Sequence, residues 1–422
     1  MKILVIGGGG REHALVWKLR QSPRVDTIFC VPGNAGIAQL AACAPLNVSD
    51  HAGLLKFARD EKVDFTVVGP DDPLAAGLVD FFESNGQRIF GPRRDAAKLE
   101  WSKVFGKDFM QRHGIPTARS NSFSDSDAAH RFCQRMKYPV VVKADGLALG
   151  KGVVVAPTPW SAAMAIHQIM ETRKFGEAGK QVLIEEFLEG EECSIHLLCD
   201  GKNVVLFPGA QDHKRAFDHD EGSNTGGMGA FSPAAKLLTR QMEERVRREI
   251  IEPFLAGLRH DGLDFRGMLF PGIICTAEGP KVLEFNCRFG DPETQVLVTR
   301  LRSDLLALLE ATVDGRLAEV RPDWSGDSAV CVVLASKGYP GKYEVSKPIS
   351  GLDDLPADVT VFHAGTRREN GHIVTAGGRV LGVTALGADL ETARAKAYAA
   401  VERIAFEGCH FRRDIAAKGL KT

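Results

Sequence analysis

The sequence predicts a multidomain protein of the α/β and α+β classes, with an open parallel sheet first and mixed α+β units after it. Two observations predict the parallel sheet. Short apolar runs alternate with helical stretches through residues 1–100, and three of these runs end in turns rich in glycine and proline. The length of 422 residues exceeds what one ordinary core covers, so we expect several domains.

Composition and charge restrict the classes of function. The formal net charge is −1 and basic residues are interspersed with acidic ones, which argues against a nucleic-acid or membrane partner. Scattered cysteines without a Cys-x-x-Cys pattern predict reduced, mostly buried thiols in a cytoplasmic protein. The chain enters a predicted strand at Lys2, and no apolar run approaches the roughly 18 residues that span a bilayer. We therefore expect neither a signal peptide nor a membrane span.

Residues 1–100 form the first predicted domain, with strands at Ile3–Ile6, Thr27–Val31, Phe65–Val68 and Arg88–Phe90. Ligands of open parallel sheets bind beyond the carboxyl ends of the strands. Turns follow three of the strands there, at Gly7–Gly10, Pro32–Gly36 and Gly69–Pro73. We expect a ligand site where these turns meet.

The second unit follows a helix predicted over Asp95–His113, with Asp95 as its N-cap and Gly114 as its stop. Residues 101–119 make the connection. Residues 120–190 then show strand, glycine-rich loop, strand, helix and strand, the regular elements being Val140–Lys143, Val153–Ala156, Trp160–Thr172 and Val182–Phe187.

Residues 191–324 predict a larger sheet, with strands at Cys193–Cys199, Val204–Phe207, Met268–Cys275 and Val282–Asn286. The helix Thr239–Leu258 between them carries apolar residues at i+4 steps, and we expect a kink at Pro253. Residues 325–422 form a small final α+β domain that opens with a strand at Ala329–Ala335.

The segment Val282–Gln295 concentrates ligand-binding side chains. The period-2 alternation of a strand places Glu284 and Asn286 on one face, and a carboxylate beside an amide suits Mg²⁺. Arg288, Asp291 and Glu293 follow on a loop punctuated by glycine and proline, which can fold back over the same site. The alternative is a solvated edge strand followed by a charged turn.

The loop Asp145–Gly152 is a glycine-rich hairpin that can bind phosphate through backbone amides. It is not a P-loop, because its spacing is one residue short, Gly152 stands where Ser or Thr is needed, and a strand follows. Lys143 precedes it at the end of an apolar strand, where a buried ammonium needs an anionic partner. A plain flexible hairpin is the alternative.

The N-terminal Gly7–Gly10 turn opens a helix whose first amides favour a phosphate, and Arg11 can add a bidentate contact. A dinucleotide site is disfavoured, because His13 stands at the third glycine of that fingerprint and no acid follows the second strand. A single phosphate fits better.

These strings resemble the ATP-grasp enzymes, and specifically the phosphoribosylamine–glycine ligase (glycinamide ribonucleotide synthetase) family, from residue 2 to about residue 415. The resemblance implies a Rossmann-like pre-ATP-grasp domain that binds the substrate phosphate, a two-part ATP-grasp domain with a mobile lid, and a small C-terminal α+β domain. Departures from the family pattern include Asp71, Ser223, Phe231, Phe270 and Pro271.

For ATP, the resemblance implies phosphate contacts from Lys103, Lys143 and the hairpin residues Gly146, Gly150, Lys151 and Gly152. It assigns adenine and ribose to Glu185, Glu186, Phe187, Leu188 and Glu191. Glu284 and Asn286 would hold Mg²⁺ or Mn²⁺.

For the other substrates, the resemblance points to two strings, Gln211–Arg215 and Ser223–Ala230. Asp212 would bind the glycine ammonium, and Lys214 with Arg288 would stabilise the acyl phosphate. The remaining substrate contacts would come from Gly9, Gly10, Arg11, Gly33, Asn34, Gly69, Pro70, Asp71, Asn224, Thr225, Gly226 and Asp291.

The implied function is ATP-dependent joining of glycine to 5-phosphoribosylamine through glycyl phosphate, by a monomer. We nominate no general base; His213 is one possibility, and a structural hydrogen-bonding role is at least as good. Rivals are another ATP-grasp ligase or carboxylase using bicarbonate, formate or a different amine, an NAD-dependent oxidoreductase, and a non-catalytic nucleotide-binding regulator.

Overall fold

The computed structural model describes residues 1–147 and 152–420, so the predicted phosphate-loop residues Gly150 and Lys151 lie outside the described part. The first sheet is parallel throughout, in the order β3-β2-β1-β4-β5. Its strands are β1 Lys2–Gly7, β2 Thr27–Pro32, β3 Ala42–Cys43, β4 Phe65–Val68 and β5 Ile89–Phe90, and its helices are α1 Gly10–Leu19, α2 His51–Asp60, α3 Asp71–Ala75, α4 Leu78–Ser84 and α5 Arg94–Trp101.

The strand order reverses at β1, which lies between β2 and β4. Ile3 and Val5 pack into one core cluster and Leu4 and Ile6 into another, so both faces of the sheet are covered. The predicted open parallel sheet is confirmed. Its crevice lies where β1 ends, at the glycines that precede α1, which is the usual ligand position in such sheets.

The single helix predicted over Asp95–His113 is wrong. The chain forms α5 and then α6 Lys103–Arg112, separated by Ser102 in an extended conformation. The Ser102 hydroxyl accepts from the Phe105 amide and donates to Asp145, both at 3.1 Å. The break therefore follows from a contact with the glycine-rich hairpin. The N-cap of α5 is Arg93 and not Asp95, whereas α6 ends at His113 and Gly114 as predicted.

The next unit is a four-stranded antiparallel sheet in the order β6-β9-β7-β8, with its own core. Its elements are β6 Ser120–Phe123, α7 Ser126–Cys133, β7 Val140–Ala144, β8 Val153–Ala156, α8 Pro159–Ile166 and β9 Val182–Glu186. Alternation along β7 and β9 buries Val140, Val142 and Ile184 under the two helices.

The third unit is built around the long strand β17, which pairs with β10, β11 and β18. The strand predicted at Cys193–Cys199 is two strands, because the chain leaves β17 at Ile195 and His196. The elements are β10 Glu191–Ser194, β11 Leu197–Asp200, β12 Val204–Leu206, β13 Gln211–Asp212, β14 Arg215–Phe217, β15 Glu221–Asn224, β16 Gly229–Ser232, α9 Arg240–Val246, α10 Glu252–Asp261, β17 Arg266–Thr276, β18 Gly279–Asn286, α11 Glu293–Arg300 and α12 Leu305–Val313.

A π-helical turn, Arg247–Ile251, separates α9 from α10 just before Pro253. Proline has no amide to donate to the preceding turn, which accounts for an interruption of the helix next to the residue where a kink was predicted.

The last sheet joins two regions of the chain, because β13 and β16 continue it in the order β13-β16-β19-β23-β20. Its remaining elements are β19 Ser328–Ser336, β20 Val359–His363, β21 Thr366–Glu369, β22 His372–Thr375, β23 Arg379–Gly387, α13 Leu390–Val401, β24 Cys409–His410 and α14 Ala417–Leu420. The start of β23 lies beside the turns that follow β15 and β18, where Arg379 donates to the Gly226 and Asp291 carbonyls.

All nine cysteines are free thiols and most are buried, as predicted. Within the described ranges, none of the helices combines the length and apolar character needed to cross a bilayer.

Candidate active site

The N-terminal glycine turn lies against the segment that begins α11. A Cβ built on Gly10 would lie 2.7 Å from Gln295 Nε2 and 3.5 Å from Asp291 Oδ1. Asn34 Nδ2 donates to the Gly8 carbonyl at 2.9 Å, which ties the second turn to the first. The structure therefore brings Gly9, Gly10, Gly33 and Asn34 together with Asp291, although they are far apart in sequence.

Glu12, which the sequence analysis missed, joins the first and third turns. Its Oε2 accepts from the Gly9 amide at 2.6 Å, and a Cβ on Gly69 would lie 2.1 Å from its Oε1. Arg11 Nε donates to Glu12 Oε1 at 2.6 Å and Arg11 Nη1 to the Phe289 carbonyl at 3.0 Å. Arg11 is thus buried against protein partners. The glycine followed three residues later by glutamate was a readable helix-start signal.

The candidate metal pair lies at the end of β18. Glu284 and Asn286 flank Phe285, which packs into the core, so both polar side chains leave the other face. Asn286 Nδ2 donates to the Phe270 carbonyl at 3.3 Å, and its Oδ1 accepts from Arg288 at 3.1 Å.

Neighbouring lysines keep the Glu284 carboxylate in its charged form. Lys103 Nζ lies 2.9 Å from Glu284 Oε2. Lys103, and after it Lys143 and Lys214, holds the pKa of Glu284 well below its usual range against the effect of burial. A permanently anionic oxygen beside an amide oxygen is the donor set that Mg²⁺ prefers, so these two residues fit a divalent ion.

A buried ion triad lies next to this pair. The Glu185 carboxylate forms salt bridges with the ammonium groups of Lys143 and Lys107, each with an N–O distance of 2.7 Å. All three side chains are at most 7 % exposed. Burial raises the pKa of Glu185, but Lys143 and Lys107 together hold it below its ordinary value. Lys107 was missed, although its i+4 spacing from Lys103 on one helix was visible.

These charged groups surround a small enclosed space. Lys103, Lys107, Lys143, Glu100 and Glu284 line a cavity of about 10 Å³. That is roughly the room that one water molecule needs. The predicted nucleotide lysines therefore form one electrostatic cluster with the predicted metal ligand.

The other candidate nucleotide residues lie at the ends of strands in, or next to, the four-stranded sheet β6-β9-β7-β8, here called the lid sheet. Glu186 pairs with Arg119 at 2.8 Å, while the Phe187 side chain is exposed. The Gly152 carbonyl accepts from Ala144 at 2.8 Å, which closes the base of the hairpin. Gly146 has φ +151° and would place a Cβ 2.6 Å from Ala178, so the hairpin needs glycine there. Leu188 and Glu191 lie on the adjoining stretch that enters β10.

Arg288 is held by a second buried acid. Its Nε lies 3.2 Å from Glu100 Oε1, and Glu100 Oε2 accepts from the Cys287 amide at 2.6 Å. Burial raises the pKa of Glu100 to about 7 against the opposing charge of Arg288. Asp71 raises the pKa values of both groups, which places the third N-terminal turn, with Gly69 and Pro70, beside this pair. In the sequence, Glu100 could not be distinguished from an ordinary acidic residue of a helix.

The predicted substrate segment Ser223–Ala230 meets the C-terminal region at Arg379. This side chain donates to the Gly226 carbonyl at 2.6 Å and pairs with Asp291 at 3.1 Å. The Gly226 amide donates to the Tyr339 hydroxyl at 3.0 Å. Arg379 and Tyr339 were both missed, because nothing in their local sequence marks them.

Within the two predicted substrate segments, the backbone around Lys214 is fixed by Thr225. The Thr225 amide and hydroxyl donate to the Lys214 carbonyl at 2.7 and 2.8 Å. The Lys214 ammonium pairs with Glu192, and Asn224 ends β15 beside it. Asp212 lies on β13, where burial raises its pKa against the charge of Lys214.

His213 does not have the hydrogen-bonding role considered above. Its side chain is fully buried, and neither ring nitrogen has a hydrogen-bond partner among the described residues. Burial, with Arg412 and Lys418, lowers its pKa to about 4. His213 is therefore a neutral core residue.

Comparison with known proteins agrees with this architecture. Residues 1–100, 101–294 and 329–418 match the N domain, the ATP-grasp (A) domain and the C domain of phosphoribosylglycinamide synthetase. The chain is 50% identical over 422 residues to the phosphoribosylamine–glycine ligase of Neisseria meningitidis, covering 100% of both chains. It is 48% identical over 415 residues to that of Agrobacterium fabrum, covering 98% of both.

Solved structures give the same result. The phosphoribosylamine–glycine ligase of Thermotoga maritima superposes with a TM-score of 0.85 at 34% identity, covering 99% of this chain and 100% of that one. The biotin carboxylase domain of a Hydrogenobacter thermophilus carboxylase shares the fold, with a TM-score of 0.75 at 16% identity, covering 97% of this chain and 91% of that one. The predicted resemblance and fold class are confirmed. The chain belongs to the phosphoribosylglycinamide synthetase family.

Proposed function

We propose that the protein is an ATP-dependent ligase that joins glycine to 5-phosphoribosylamine and releases glycinamide ribonucleotide, ADP and phosphate. One observation carries the proposal: three regions of the chain meet at Asp291. The N-terminal glycine turn approaches its carboxylate, and Arg379 links it to the Gly226 turn. Lys103 pairs with Glu284, which lies near the start of the segment Val282–Gln295 that also carries Asp291. Full-length relatives that are named for this reaction support it.

On the nucleotide side, we assign the ATP phosphates to Lys103, Lys143 and the hairpin that follows β7. Glu284 and Asn286 would hold Mg²⁺, or Mn²⁺, which when bound neutralises phosphate charge. Phosphoryl transfer needs mainly cations and positioning. The buried pairing of Lys143 with Glu185 supplies positioning, because it fixes the ammonium at the end of a core strand.

For the first chemical step, the glycine carboxylate attacks the γ-phosphorus and forms glycyl phosphate and ADP. Asp212 would pair with the glycine ammonium. Lys214 and Arg288 would stabilise charge on the acyl phosphate. Burial lowers the pKa of Arg288, but the charges of Glu100 and other nearby acids raise it above its ordinary value. Burial likewise lowers the pKa of Lys214, and the charges of Glu192 and Asp212 raise it above its ordinary value. Both cations therefore stay charged at any working pH.

For the second step, the amine of phosphoribosylamine displaces phosphate and forms the amide. Its phosphate would bind the amides that open α1, with Gly33, Asn34, Gly69, Pro70 and Asp71 around the sugar. The three turns are already held together by Asn34 and Glu12, so this part of the site needs little rearrangement.

The test is an ADP-release assay with Mg-ATP, glycine and freshly generated phosphoribosylamine, in which each component is omitted in turn. We expect ADP release to require all three. Stimulation by bicarbonate, formate or another amine, with no response to glycine, would favour a different ATP-grasp ligase or carboxylase.

We also propose that the protein acts as a monomer, because one chain supplies contacts from all three of its regions to the site. Light scattering should give a mass near 45.7 kDa. A dimer mass that persists on dilution would contradict this.

A further inference from the structure

Glu293, the first residue of α11, is a buried carboxylate that the steps above do not use. Its Oε1 accepts from the Ser194 hydroxyl at 2.9 Å. Its other polar contact is with its own backbone amide, so among the described residues Ser194 is the side chain that donates to it. A Cβ built on Gly290 would lie 2.6 Å from Oε2, so this oxygen lies against the Gly290 turn.

The position of Glu293 is central to the candidate substrate site. It interacts electrostatically with Asp212 on β13, with Arg288 on the loop after β18 and with Arg379 on β23. His196, whose Nε2 accepts from the Gly290 amide at 3.3 Å, faces the same turn. Asp291 stands two residues before Glu293, and the Cys331 thiol also interacts electrostatically with this carboxylate.

These surroundings make Glu293 a group that can exchange a proton near neutrality. Burial, and then the charge of Asp212, raises its pKa to about 7 against bonds from its own amide and from Ser194. By contrast, burial and then Arg288 lower the pKa of His196 to about 3, so that ring stays neutral. A catalytic base works best when its pKa is close to the working pH.

We propose that Glu293 is the proton acceptor in the amide-forming step, an inference that rests on the proposed function. The amine nitrogen of phosphoribosylamine forms a bond to the acyl carbon of glycyl phosphate. The bond from that carbon to the phosphate oxygen breaks, and its electron pair leaves with phosphate. The proton of the nitrogen passes to Oε2 of Glu293 and from there to water.

Other acids are less suitable for this role. Asp212 is committed to the glycine ammonium in the proposed mechanism, and Glu284 is held as an anion by Lys103. The His213 side chain is fully buried in the core and cannot reach the substrate. Glu293 combines a carboxylate with a single side-chain donor, a position two residues after Asp291 and a suitable proton affinity.

The test separates the two half-reactions with Glu293→Gln. Hydroxylamine, added in place of phosphoribosylamine, traps glycyl phosphate as glycine hydroxamate, and excess hydroxylamine in solution takes up the proton. We expect the variant to lose about 100-fold or more in amide formation, the usual contribution of a general base, while hydroxamate formation stays close to wild type. Equal losses in both reactions would overturn the inference. Absence of hydroxamate with the wild-type protein would instead contradict the proposed function.

A second variant, Ser194→Ala, tests the proposal through the pH profile of the rate. A purely structural role of Glu293 would leave that profile unchanged. Ser194→Ala removes a hydrogen bond that lowers the pKa of Glu293. The acidic limb of the pH profile of the amine-dependent rate should therefore move to higher pH. The substrate amine must also be unprotonated, and its titration is common to all variants. Glu293→Gln should therefore lose only the part of the limb that belongs to Glu293 and keep the part set by the amine. An acidic limb in Glu293→Gln that is identical to the wild type, or a limb that does not move in Ser194→Ala, would overturn the inference.

Discussion

Replacing Glu185 by glutamine tests whether the ion triad holds the lid sheet to α6. Two ammonium groups share this one carboxylate, each at 2.7 Å, with Lys107 3% and Lys143 7% exposed. The isosteric change leaves both cations buried without an anion. Removal of one partner from a buried pair costs about 3–5 kcal/mol, and we expect a loss of that size in the free energy of unfolding.

The matched control is Glu186→Gln on the next residue of the same strand. Glu186 pairs with Arg119, whose side chain is 91% exposed. Exposed pairs contribute roughly 0.2–1 kcal/mol, so the two variants should differ by several-fold in urea denaturation. Equal losses for Glu185→Gln and Glu186→Gln would refute the reasoning.

A second substitution, Lys107→Met, should change the free energy of unfolding differently in the wild type and in Glu185→Gln. In the wild type, Lys107→Met should cost little, because Lys143 still neutralises Glu185, and burial together with Lys143 already lowers the pKa of Lys107. In the Glu185→Gln background the same change removes one of two unpaired cations and should restore stability. Destabilisation of the same size in both backgrounds would show that Lys107 acts through packing alone.

The pH dependence follows from the directions of the pKa shifts. The pKa of Glu185 is held below its unfolded value, so its stabilisation is present above the unfolded pKa and is lost as pH falls through the folded pKa. The deficit of Glu185→Gln should therefore shrink in acid. It should also shrink as pH rises toward the ordinary lysine pKa, because burial lowers the pKa of Lys107, which can then lose its proton.

Three further predictions concern substrates. Glu284→Gln should abolish ADP formation and leave the thermal unfolding profile intact, because one charge of a two-ligand metal site is lost; unaltered turnover would contradict the metal assignment. Arg11→Ala should raise the phosphoribosylamine concentration that is required and spare ATP, whereas equal losses for all three substrates would mean that its contacts with Glu12 are structural. Arg379→Ala removes charge-assisted bonds of roughly 1.5–3 kcal/mol from Gly226 and Asp291. It should lower kcat/KM for glycine or phosphoribosylamine about 10- to 100-fold and leave the KM for ATP unchanged.

Features that depend on a few neighbouring residues could be predicted from the sequence. Most of the strands that the apolar runs predicted lie within a residue or two of the observed ones, and period-2 alternation put Glu284 and Asn286 on one face of β18. The interruption at Pro253 also followed from local chemistry. These signals act over one strand or one helical turn, so the surrounding fold did not override them.

Features that depend on long-range partners could not be predicted. Ser102 breaks a helix because Asp145, far along the chain, accepts from its hydroxyl. Lys107 is an ordinary helix lysine until the sheet places Glu185 against it. Arg379 gains its place in the site because β13 and β16 extend the C-terminal sheet. Each residue has an unremarkable local sequence, and its role is set by tertiary pairing.

The two lysines proposed for ATP should respond differently to a bound phosphate. Lys143 pairs with Glu185, a carboxylate that is only 2% exposed, whereas Lys103 pairs with Glu284, which is 35% exposed. Separation of a buried pair costs several kcal/mol, but a partly exposed pair costs closer to about 1 kcal/mol, because water can solvate the released carboxylate. We therefore expect Lys103 to leave Glu284 for a phosphate oxygen, which frees that carboxylate for a metal ion. Lys143 should keep Glu185 and act as a fixed charge.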